Sequence, residues 1–341
     1  MLASMCVRRC DIPPSEPATV LMMSLSTAHV LRRSTALALP ALAATLASAC
    51  ATSDQPQTQV ADSTAVATAP SKFGEVAGLK TPEGALFDAV RNVWYISSIN
   101  GVPNEADNNG YITRVSADFA TVDTMFIAGG ANGVALDAPK GMALLGDTLW
   151  VADITNLRAF DVTTGAPIAS VAVEGAQFLN DITVGALGTL YISDTGIRFG
   201  PDGMTHPGPD RLFQLTGRTV NEAVRFEGAP GPNGVLFNEA TGRVLVVPFA
   251  TGTIYEWTPG SSTVDSIASG PGSYDGAVRL ASGRLLVSSW ADSTVHELAN
   301  GALTPLIRGV PSPAEMGVNE RESVIAVPLF EAGRVEFWKV P

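Results

Sequence analysis

Six polar side chains recur at one position of a repeated sequence unit, and they are the residues of this chain best suited to chemistry. Each stands at the start of a short apolar run, and four are followed directly by glycine; the six are Glu83, Lys140, Asn180, Asn233, Asp275 and Glu315. Hard cations such as Ca²⁺ take six to eight oxygen ligands, among them carboxylates and Asn carbonyls. Since neither His nor Cys stands at any of the six positions, the set predicts an oxygen-lined cation site and not a structural zinc site.

A simpler interpretation is that Asn and Asp before Gly only form turns. That interpretation is adequate for any single unit. It becomes weaker because five of the six units place an acidic or amide residue at the same position. Positions with a purely structural role would carry small or apolar residues instead.

The elements that must position these side chains are short strands joined by turns. In each unit the polar residue precedes a first strand, and two further strand-like runs follow, as in 232–237, 243–247 and 253–257. Units begin roughly 40 to 57 residues apart, which fits the four strands of a propeller blade. The sequence therefore predicts an all-β, six-bladed β-propeller over residues 72–341, with the polar residues pointing at its axis. A two-domain β-sandwich would not explain the six-fold register.

The ring is expected to close through its N-terminal strand. Residues 73–79 stand before the first unit in the way that the outer strands of later blades stand before theirs. We expect them to form the outer strand of the last blade, paired with residues 334–340. Closure of this kind leaves no exposed sheet edge at the seam.

The N-terminal 50 residues resemble an export signal. Two arginines precede an apolar run, 34–49, whose small residues end at Cys50 as in a bacterial lipoprotein cleavage box. We expect Cys50 to be lipidated, with simple secretion as the alternative, and Met22 or Met23 to be the true start. Residues 51–71 are predicted to be a flexible tether. The only expected membrane contact is the lipid anchor, on the periplasmic side of the cell envelope.

Charge and cysteine content exclude two further classes. The chain has 21 basic and 33 acidic residues, a formal charge of −12. Residues 1–50 hold four Arg, one Asp and one Glu, so the rest of the chain has 17 basic and 31 acidic residues, a net charge of −14. Such a surface repels phosphate backbones, so no nucleic-acid partner is expected. The cysteines are Cys6, Cys10 and Cys50, so no disulfide is available to the repeated region.

The polar set resembles the senescence marker protein, regucalcin and gluconolactonase family of calcium-dependent six-bladed propellers. The resemblance covers about residues 73–341, and its most specific part is the order Glu, Asn, Asn, Asp in units 1, 3, 4 and 5. It implies one divalent cation, most simply Ca²⁺, held by Glu83, Asn180, Asn233 and Asp275. It also implies Asp275 as catalytic base or nucleophile in a hydrolase of lactones or related esters.

Four residues are expected to shape substrate binding. Family lactonases commonly carry an Arg two positions before the unit-3 Asn, and Phe178 stands there, so an apolar ester or lactone is as plausible a small-molecule substrate as a sugar-acid lactone. Lys140 either orients an anionic group or pairs with Glu83 or Glu315. Glu315 either lines the channel or supports a ligand, and Asp181 beside Asn180 belongs to the same site.

Two insertions, residues 101–110 and 196–209, are expected near the entrance, where loops on a rigid scaffold carry specificity. His206 in the second is interpreted as a solvated loop residue, His296 as pointing outward on an edge-like strand, and Asp153 as a surface acid. The alternatives to a hydrolase are a non-catalytic ligand- or protein-binding propeller of the cell envelope and a metal-free lyase- or synthase-like propeller.

Overall fold

Six four-stranded antiparallel sheets and one small hairpin account for the 26 strands in residues 69–200 and 202–341, the residues that the computed structural model describes. The predicted leader with Met22, Met23 and Cys50, and the tether up to residue 68, lie outside these residues. The described residues belong to one unit, Thr64–Pro341. The all-β six-bladed propeller predicted from the repeats is confirmed.

Blades 1 to 3 take their strands in chain order, and blade 3 has an extra hairpin, β12–β13, between its second and third strands. The strands are β2 (Pro82–Asp88), β3 (Val93–Ser98), β4 (Tyr111–Ser116) and β5 (Val122–Ala128); β6 (Pro139–Leu145), β7 (Thr148–Asp153), β8 (Asn156–Asp161) and β9 (Pro167–Ala172); β10 (Leu179–Val184), β11 (Leu190–Asp194), β12 (Arg198–Gly200), β13 (Gly203–Thr205), β14 (Arg211–Thr216) and β15 (Thr219–Arg225).

Blades 4 and 5 follow the same order, and blade 6 takes its outer strand from the N-terminal end of the described chain. The strands are β16 (Pro232–Asn238), β17 (Arg243–Pro248), β18 (Thr253–Trp257) and β19 (Val264–Ser269); β20 (Tyr274–Arg279), β21 (Leu285–Ser289), β22 (Thr294–Ala299) and β23 (Ala302–Arg308); β24 (Gly317–Asn319), β25 (Val324–Leu329), β26 (Arg334–Lys339) and β1 (Ser71–Ala77). A 3-10 turn, Ala186–Gly188, joins β10 to β11.

The seam between the two ends of the propeller is closed as the sequence predicts. Strand β1 pairs antiparallel with β26, from Ser71 opposite Lys339 to Ala77 opposite Arg334. On the inner side of the seam, Glu315 and Glu83 join blade 6 to blade 1: the Glu315 N–H donates to the Glu83 carbonyl at 2.9 Å. The ring is therefore held at its junction by backbone hydrogen bonds at both its outer and inner ends.

The hydrophobic core lies between neighbouring blades. Trp94 and Tyr95 are successive residues of β3, so their side chains leave opposite faces of blade 1. Trp94 packs against Phe337 of blade 6, with ring centroids 5.3 Å apart, while Tyr95 packs into a cluster with Val151 of blade 2. Because each sheet is covered on both faces, its second strand is apolar along most of its length.

The glycines after the polar residues allow the inner strands to approach one another. The polar residues of blades 1 to 5 lie within the first strands and not in turns before them, which differs from the turn-former interpretation. A Cβ at Gly141 would stand 2.2 Å from Asp181 Oδ1, and one at Gly276 would stand 2.7 Å from the Glu315 Cα. These glycines therefore set the spacing between blades at the axis.

Among the described residues, no helix is both long and apolar enough to cross a membrane.

Candidate functional site

The first strands of the blades surround a cavity of about 490 Å³ at one end of the propeller axis. These strands contact each other in ring order, from β2 through β6, β10, β16 and β20 to β24 and back to β2. The structure brings five of the six polar residues into this cavity: Glu83, Lys140, Asn180, Asn233 and Asp275. Each of the five is at most 6% exposed. Side chains separated by up to 192 positions in sequence (275 − 83) thus share one chamber.

Buried serine hydroxyls on the second strands of blades 1, 3 and 5 fix the strands that carry the polar residues. The Ser193 hydroxyl accepts the Asp181 N–H at 2.9 Å and donates to the Asn233 carbonyl of blade 4 at 2.6 Å. Ser288 accepts the Gly276 N–H at 2.8 Å and donates to the Ala314 carbonyl of blade 6 at 3.1 Å. In blade 1 the corresponding residue is Ser97. Each hydroxyl therefore joins the first and second strands of its own blade, and the hydroxyls of Ser193 and Ser288 also bond to the next blade.

Two buried aspartates hold the chain just before Lys140 and Asn180. Asp153 Oδ1 accepts the Ala138 N–H at 2.8 Å, and Asp194 Oδ1 accepts the Phe178 N–H at 2.7 Å. Asp153 is fully buried, so its interpretation as a surface acid is wrong. A carboxylate that accepts backbone N–H groups at these points fixes the direction in which the following strand enters the axis.

Hydrogen bonds fix the amide orientations of Asn180 and Asn233. Asn180 Nδ2 donates to the Thr195 hydroxyl at 3.1 Å. That hydroxyl donates its one hydrogen to the Pro232 carbonyl at 2.9 Å. Since the hydroxyl can only accept from Asn180, the amide nitrogen faces it and the Oδ1 atom is free. Asn233 Nδ2 is similarly turned toward the Tyr274 carbonyl, at 3.4 Å.

Three of the four predicted ligands present a buried oxygen without a hydrogen-bond partner among the described residues: Glu83 Oε2, Asn180 Oδ1 and Asp275 Oδ1. Buried polar atoms are rarely left unpaired, because each costs about 1–3 kcal/mol. Burial raises the pKa of Asp275 to about 8; the Asp181 charge adds to this rise, and Trp290 and Asn233 oppose it. Burial and the Asp275 charge also raise the pKa of Glu83 well above its ordinary value.

This donor set fits a divalent cation. Two carboxylates and two amide oxygens are hard ligands, and a cation among them would satisfy the unpaired oxygens and offset the repulsion between Glu83 and Asp275. Across residues 69–200 and 202–341, no group of three or more His, Cys, Asp and Glu side chains is arranged to hold a metal ion. The candidate set contains only two residues of those types.

Lys140 is the cationic member of the ring and is only 1% exposed. Its Nζ donates to the Ala138 carbonyl at 2.9 Å and lies 4.3 Å from the centroid of the Phe178 ring. Burial lowers the pKa of Lys140 to about 8, against the charges of Glu83 and Asp153. The ammonium group thus packs on an aromatic face, and its pairing with Glu83 or Glu315 stays a prediction.

Asp181 and Glu315 lie at a different cavity. Both line a chamber of about 580 Å³ formed by the later halves of the inner strands. Asp181 Oδ2 accepts the Val235 N–H of blade 4 at 2.8 Å, and burial raises the pKa of Asp181 to about 7. Burial and the nearby Asp181 charge raise the pKa of Glu315 well above its ordinary value. The structure does not place these two residues with the five that line the 490 Å³ cavity, and their substrate-binding role stays a prediction.

The walls of the 490 Å³ cavity are largely apolar and aromatic. Beside Phe178, which the sequence singled out, they include Ile197, Phe199, Met204, Phe249, Trp290 and Phe330. Phe199 and Met204 lie on the β12–β13 hairpin, within the insertion of blade 3. The blade 1 insertion reaches the same hairpin, because Asn104 Nδ2 donates to the Phe199 carbonyl at 3.3 Å. The two insertions predicted near the entrance therefore meet beside it.

Sequence reasoning missed three kinds of residue. His206 lines the cavity, whereas it was interpreted as a solvated loop residue. His296 is 3% exposed on an internal strand of blade 5, so its interpretation as outward-pointing on an edge-like strand is wrong. Ser97, Ser193 and Ser288 had a signal that could have found them, since each ends an apolar run at the same position of alternate units. For His206 the sequence held no such signal beyond its place in an insertion.

No protein-family model matches the sequence, and the comparison with curated proteins gives no match. Solved structures do match the fold. A protein named "putative gluconolactonase" is 16% identical, with a TM-score of 0.59 over 81% of this chain and 92% of its own. A luciferin-regenerating enzyme is 13% identical, with a TM-score of 0.60 over 79% and 94% of the two chains.

A catalytically inactive variant of virginiamycin B lyase from Staphylococcus aureus, with quinupristin, is 13% identical, with a TM-score of 0.53 over 80% of this chain and 99% of its own. At these identities the similarity concerns the fold. The chain thus shares the six-bladed β-propeller fold of a gluconolactonase-type protein and a luciferin-regenerating enzyme, as the sequence resemblance predicted.

Proposed function

We propose that this protein is a divalent-metal-dependent hydrolase of a lactone or related ester with an apolar substituent. The observation that carries the proposal is the coincidence, in one cavity, of buried oxygens without partners and apolar walls. The unpaired oxygens are suited to bind a cation, and the apolar walls are suited to bind an apolar molecule. A cavity of about 490 Å³ is within the range of small-molecule sites.

Glu83, Asn180, Asn233 and Asp275 would hold the cation, which we propose is Ca²⁺. When bound, such a cation acts as a Lewis acid that polarises a carbonyl or phosphoryl oxygen of the substrate. The chain itself supplies orientation: Thr195 and Tyr274 fix the two amides. It also supplies a carboxylate, Asp275, as proton acceptor or nucleophile.

The apolar walls favour a particular kind of substrate. Sugar-acid lactones carry several hydroxyls, each of which needs a hydrogen-bond partner when it leaves water. Phe178 offers a ring instead of donors, and the ammonium group of Lys140 lies over that ring. Aromatic side chains bind alkyl or aryl groups through buried area, so we propose an alkyl-substituted lactone or an apolar ester.

Metal content and turnover test the proposal together. The protein would be purified without chelator, its bound metal measured by elemental analysis, and its hydrolysis of 4-nitrophenyl butyrate, δ-dodecalactone and gluconolactone compared with and without Ca²⁺. We expect Ca²⁺-dependent turnover of the first two, lost in Asp275→Asn and retained in Glu174→Gln, a charge-removing control at an exposed position. Cation binding without turnover of any ester or lactone would favour a ligand-binding propeller.

The export signal remains part of the proposal. We infer lipidation at Cys50 and a periplasmic location from the sequence of residues 1–50. Metabolic labelling with a palmitate analogue tests it, with Cys50→Ser as the control. Labelling that persists in Cys50→Ser, or no labelling of the unchanged protein, would rule the anchor out.

A further inference from the structure

A histidine and a buried aspartate form a hydrogen-bonded pair at the edge of the 490 Å³ cavity. His206 lines the cavity, and its Nε2 lies 2.6 Å from Asp210 Oδ1. Asp210 is 2% exposed, whereas the side chain of His206 is 23% exposed. Asp210 is therefore the buried member of the pair, and His206 is the member that is accessible from the cavity.

The second oxygen of Asp210 ties the pair to the strand that carries Asn233. Asp210 Oδ2 accepts the Gly231 N–H at 2.5 Å, and Gly231 directly precedes Pro232 and Asn233 at the start of β16. Burial raises the pKa of Asp210, while the Gly231 N–H and His206 oppose that rise. One carboxylate thus fixes the position of the imidazole relative to Asn233, a proposed ligand.

This contact determines which ring nitrogen is available. An ionised carboxylate only accepts hydrogen bonds, so Nε2 carries the hydrogen and Nδ1 keeps its lone pair. The hydrogen bond of the His206 ring to a residue of 69–200 or 202–341 is the one made by Nε2. A base whose second nitrogen is oriented by a carboxylate is the arrangement used to activate nucleophiles in hydrolases.

We propose that His206 is the general base of the reaction and that Asp210 is its positioning residue. The inference rests on the proposed function, and it replaces both roles left open for Asp275: His206 accepts the proton, water is the nucleophile, and Asp275 acts as a cation ligand. A carboxylate that coordinates a divalent cation gives up much of its basicity, so a separate proton acceptor in the same cavity is required for attack by water. Apart from the proposed ligands and Lys140, His206 is the titratable side chain that lines this cavity.

Water is the nucleophile of the proposed step. A water oxygen forms a bond to the substrate carbonyl carbon while His206 Nδ1 takes one of the water protons. The bond between that carbon and the ester oxygen then breaks, and the departing oxygen takes the proton back from the imidazolium. The products are a carboxylic acid group and an alcohol, and His206 returns to its neutral form.

The tautomer of His206 tests the geometry without any substrate. In protein labelled with ¹⁵N-histidine, we expect the His206 signals of a neutral ring with hydrogen on Nε2, identified by their disappearance in His206→Gln. In Asp210→Asn we expect that preference for Nε2–H to be lost. A wild-type ring with hydrogen on Nδ1 would overturn the proposal, because Nδ1 could then accept no proton.

Turnover tests the role. In His206→Gln we expect kcat for 4-nitrophenyl butyrate to fall by about 100-fold or more, with KM and the Kd for Ca²⁺ within about twofold of wild type. In His206→Ala, added imidazole should restore part of the rate. The matched control is His296→Gln, because His296 makes the same kind of pair with Asp292, 2.9 Å apart, away from the cavity. Thermal melts identify any variant whose loss comes from unfolding.

The outcomes separate this inference from the proposed function. Ca²⁺-dependent turnover that survives in His206→Gln overturns the role of His206 and leaves the proposed hydrolase intact. Absence of any turnover by the wild-type protein overturns the proposed function, and the inference falls with it. A loss of rate in His206→Gln that equals the loss in His296→Gln would also contradict a catalytic role.

Discussion

The buried carboxylates predict that the metal-free protein loses stability as the pH rises from 5 to 7, and that a divalent cation prevents the loss. Burial raises the pKa of Asp275 to about 8 and that of Asp181 to about 7. In the unfolded chain both titrate near 4. Between these values the folded protein holds protons that the unfolded chain has released, so the free energy of unfolding falls with rising pH.

The size of the loss follows from the number of protons. Each group that is protonated when folded and ionised when unfolded costs about 1.4 kcal/mol per pH unit. Two such groups over two pH units give about 5 kcal/mol, and the raised pKa values of Glu83 and Glu315 act in the same direction. Because Asp181 is half ionised only at pH 7, its share shrinks by about 0.4 kcal/mol, and we expect a loss of roughly 5 kcal/mol from these two groups. Lys140, whose pKa is lowered to about 8, would add stability only above that pH, so it does not offset the loss.

Thermal or urea unfolding measures the effect. The protein would be freed of metal with EGTA and unfolded at pH 5, 6 and 7, with and without 1 mM CaCl₂. Calcium at about 100 times its Kd adds about 2.7 kcal/mol, and it displaces the protons that cause the slope. Asp275→Asn should reduce the metal-free slope by about 1.4 kcal/mol per pH unit. A metal-free stability that is flat or rises from pH 5 to 7, or the same slope with Ca²⁺, would refute the reasoning.

Three further predictions concern the axis. Lys140→Met removes a cation beside Glu83, so the affinity for Ca²⁺ measured by calorimetry should rise several-fold; a weaker Kd would contradict the role of Lys140 as a competing charge. Ser193→Ala leaves one buried N–H and one buried carbonyl unpaired, and the free energy of unfolding should fall by about 2–4 kcal/mol. A change under 0.5 kcal/mol would show that the hydroxyl does not link the blades. Gly141→Ala places a Cβ 2.2 Å from Asp181 Oδ1, and we expect a loss of about 3 kcal/mol or an insoluble protein; a stable variant would mean that the inner strands can separate.

The fold was predictable because it is repeated. A propeller blade is specified by local patterns, namely short β-branched and aromatic runs between turn residues, and six copies of one pattern remove most of the ambiguity of each. The closure of the ring was predictable for a similar reason. Residues 73–79 lack a partner within the first unit, and the structure pairs β1, Ser71–Ala77, with β26.

Part of the site was also set by the sequence. In a ring, the same position of every unit reaches the same place, so the repeat alone predicted that Glu83, Asn180, Asn233 and Asp275 would meet. Glu315 shows where this symmetry ends: it occupies the same sequence position, yet it lies at the other cavity with Asp181.

Only the tertiary structure decided the environment of these side chains. The free oxygen of Asn180 depends on a threonine that is itself bonded to blade 4, and the burial of Lys140 depends on the ring of Phe178. The pairing of His206 with Asp210 is similar, because an insertion outside the repeat has no equivalent position from which its direction could be inferred. Sequence periodicity fixes which residues face the axis, whereas burial, hydrogen bonding and pKa depend on atoms contributed by other blades.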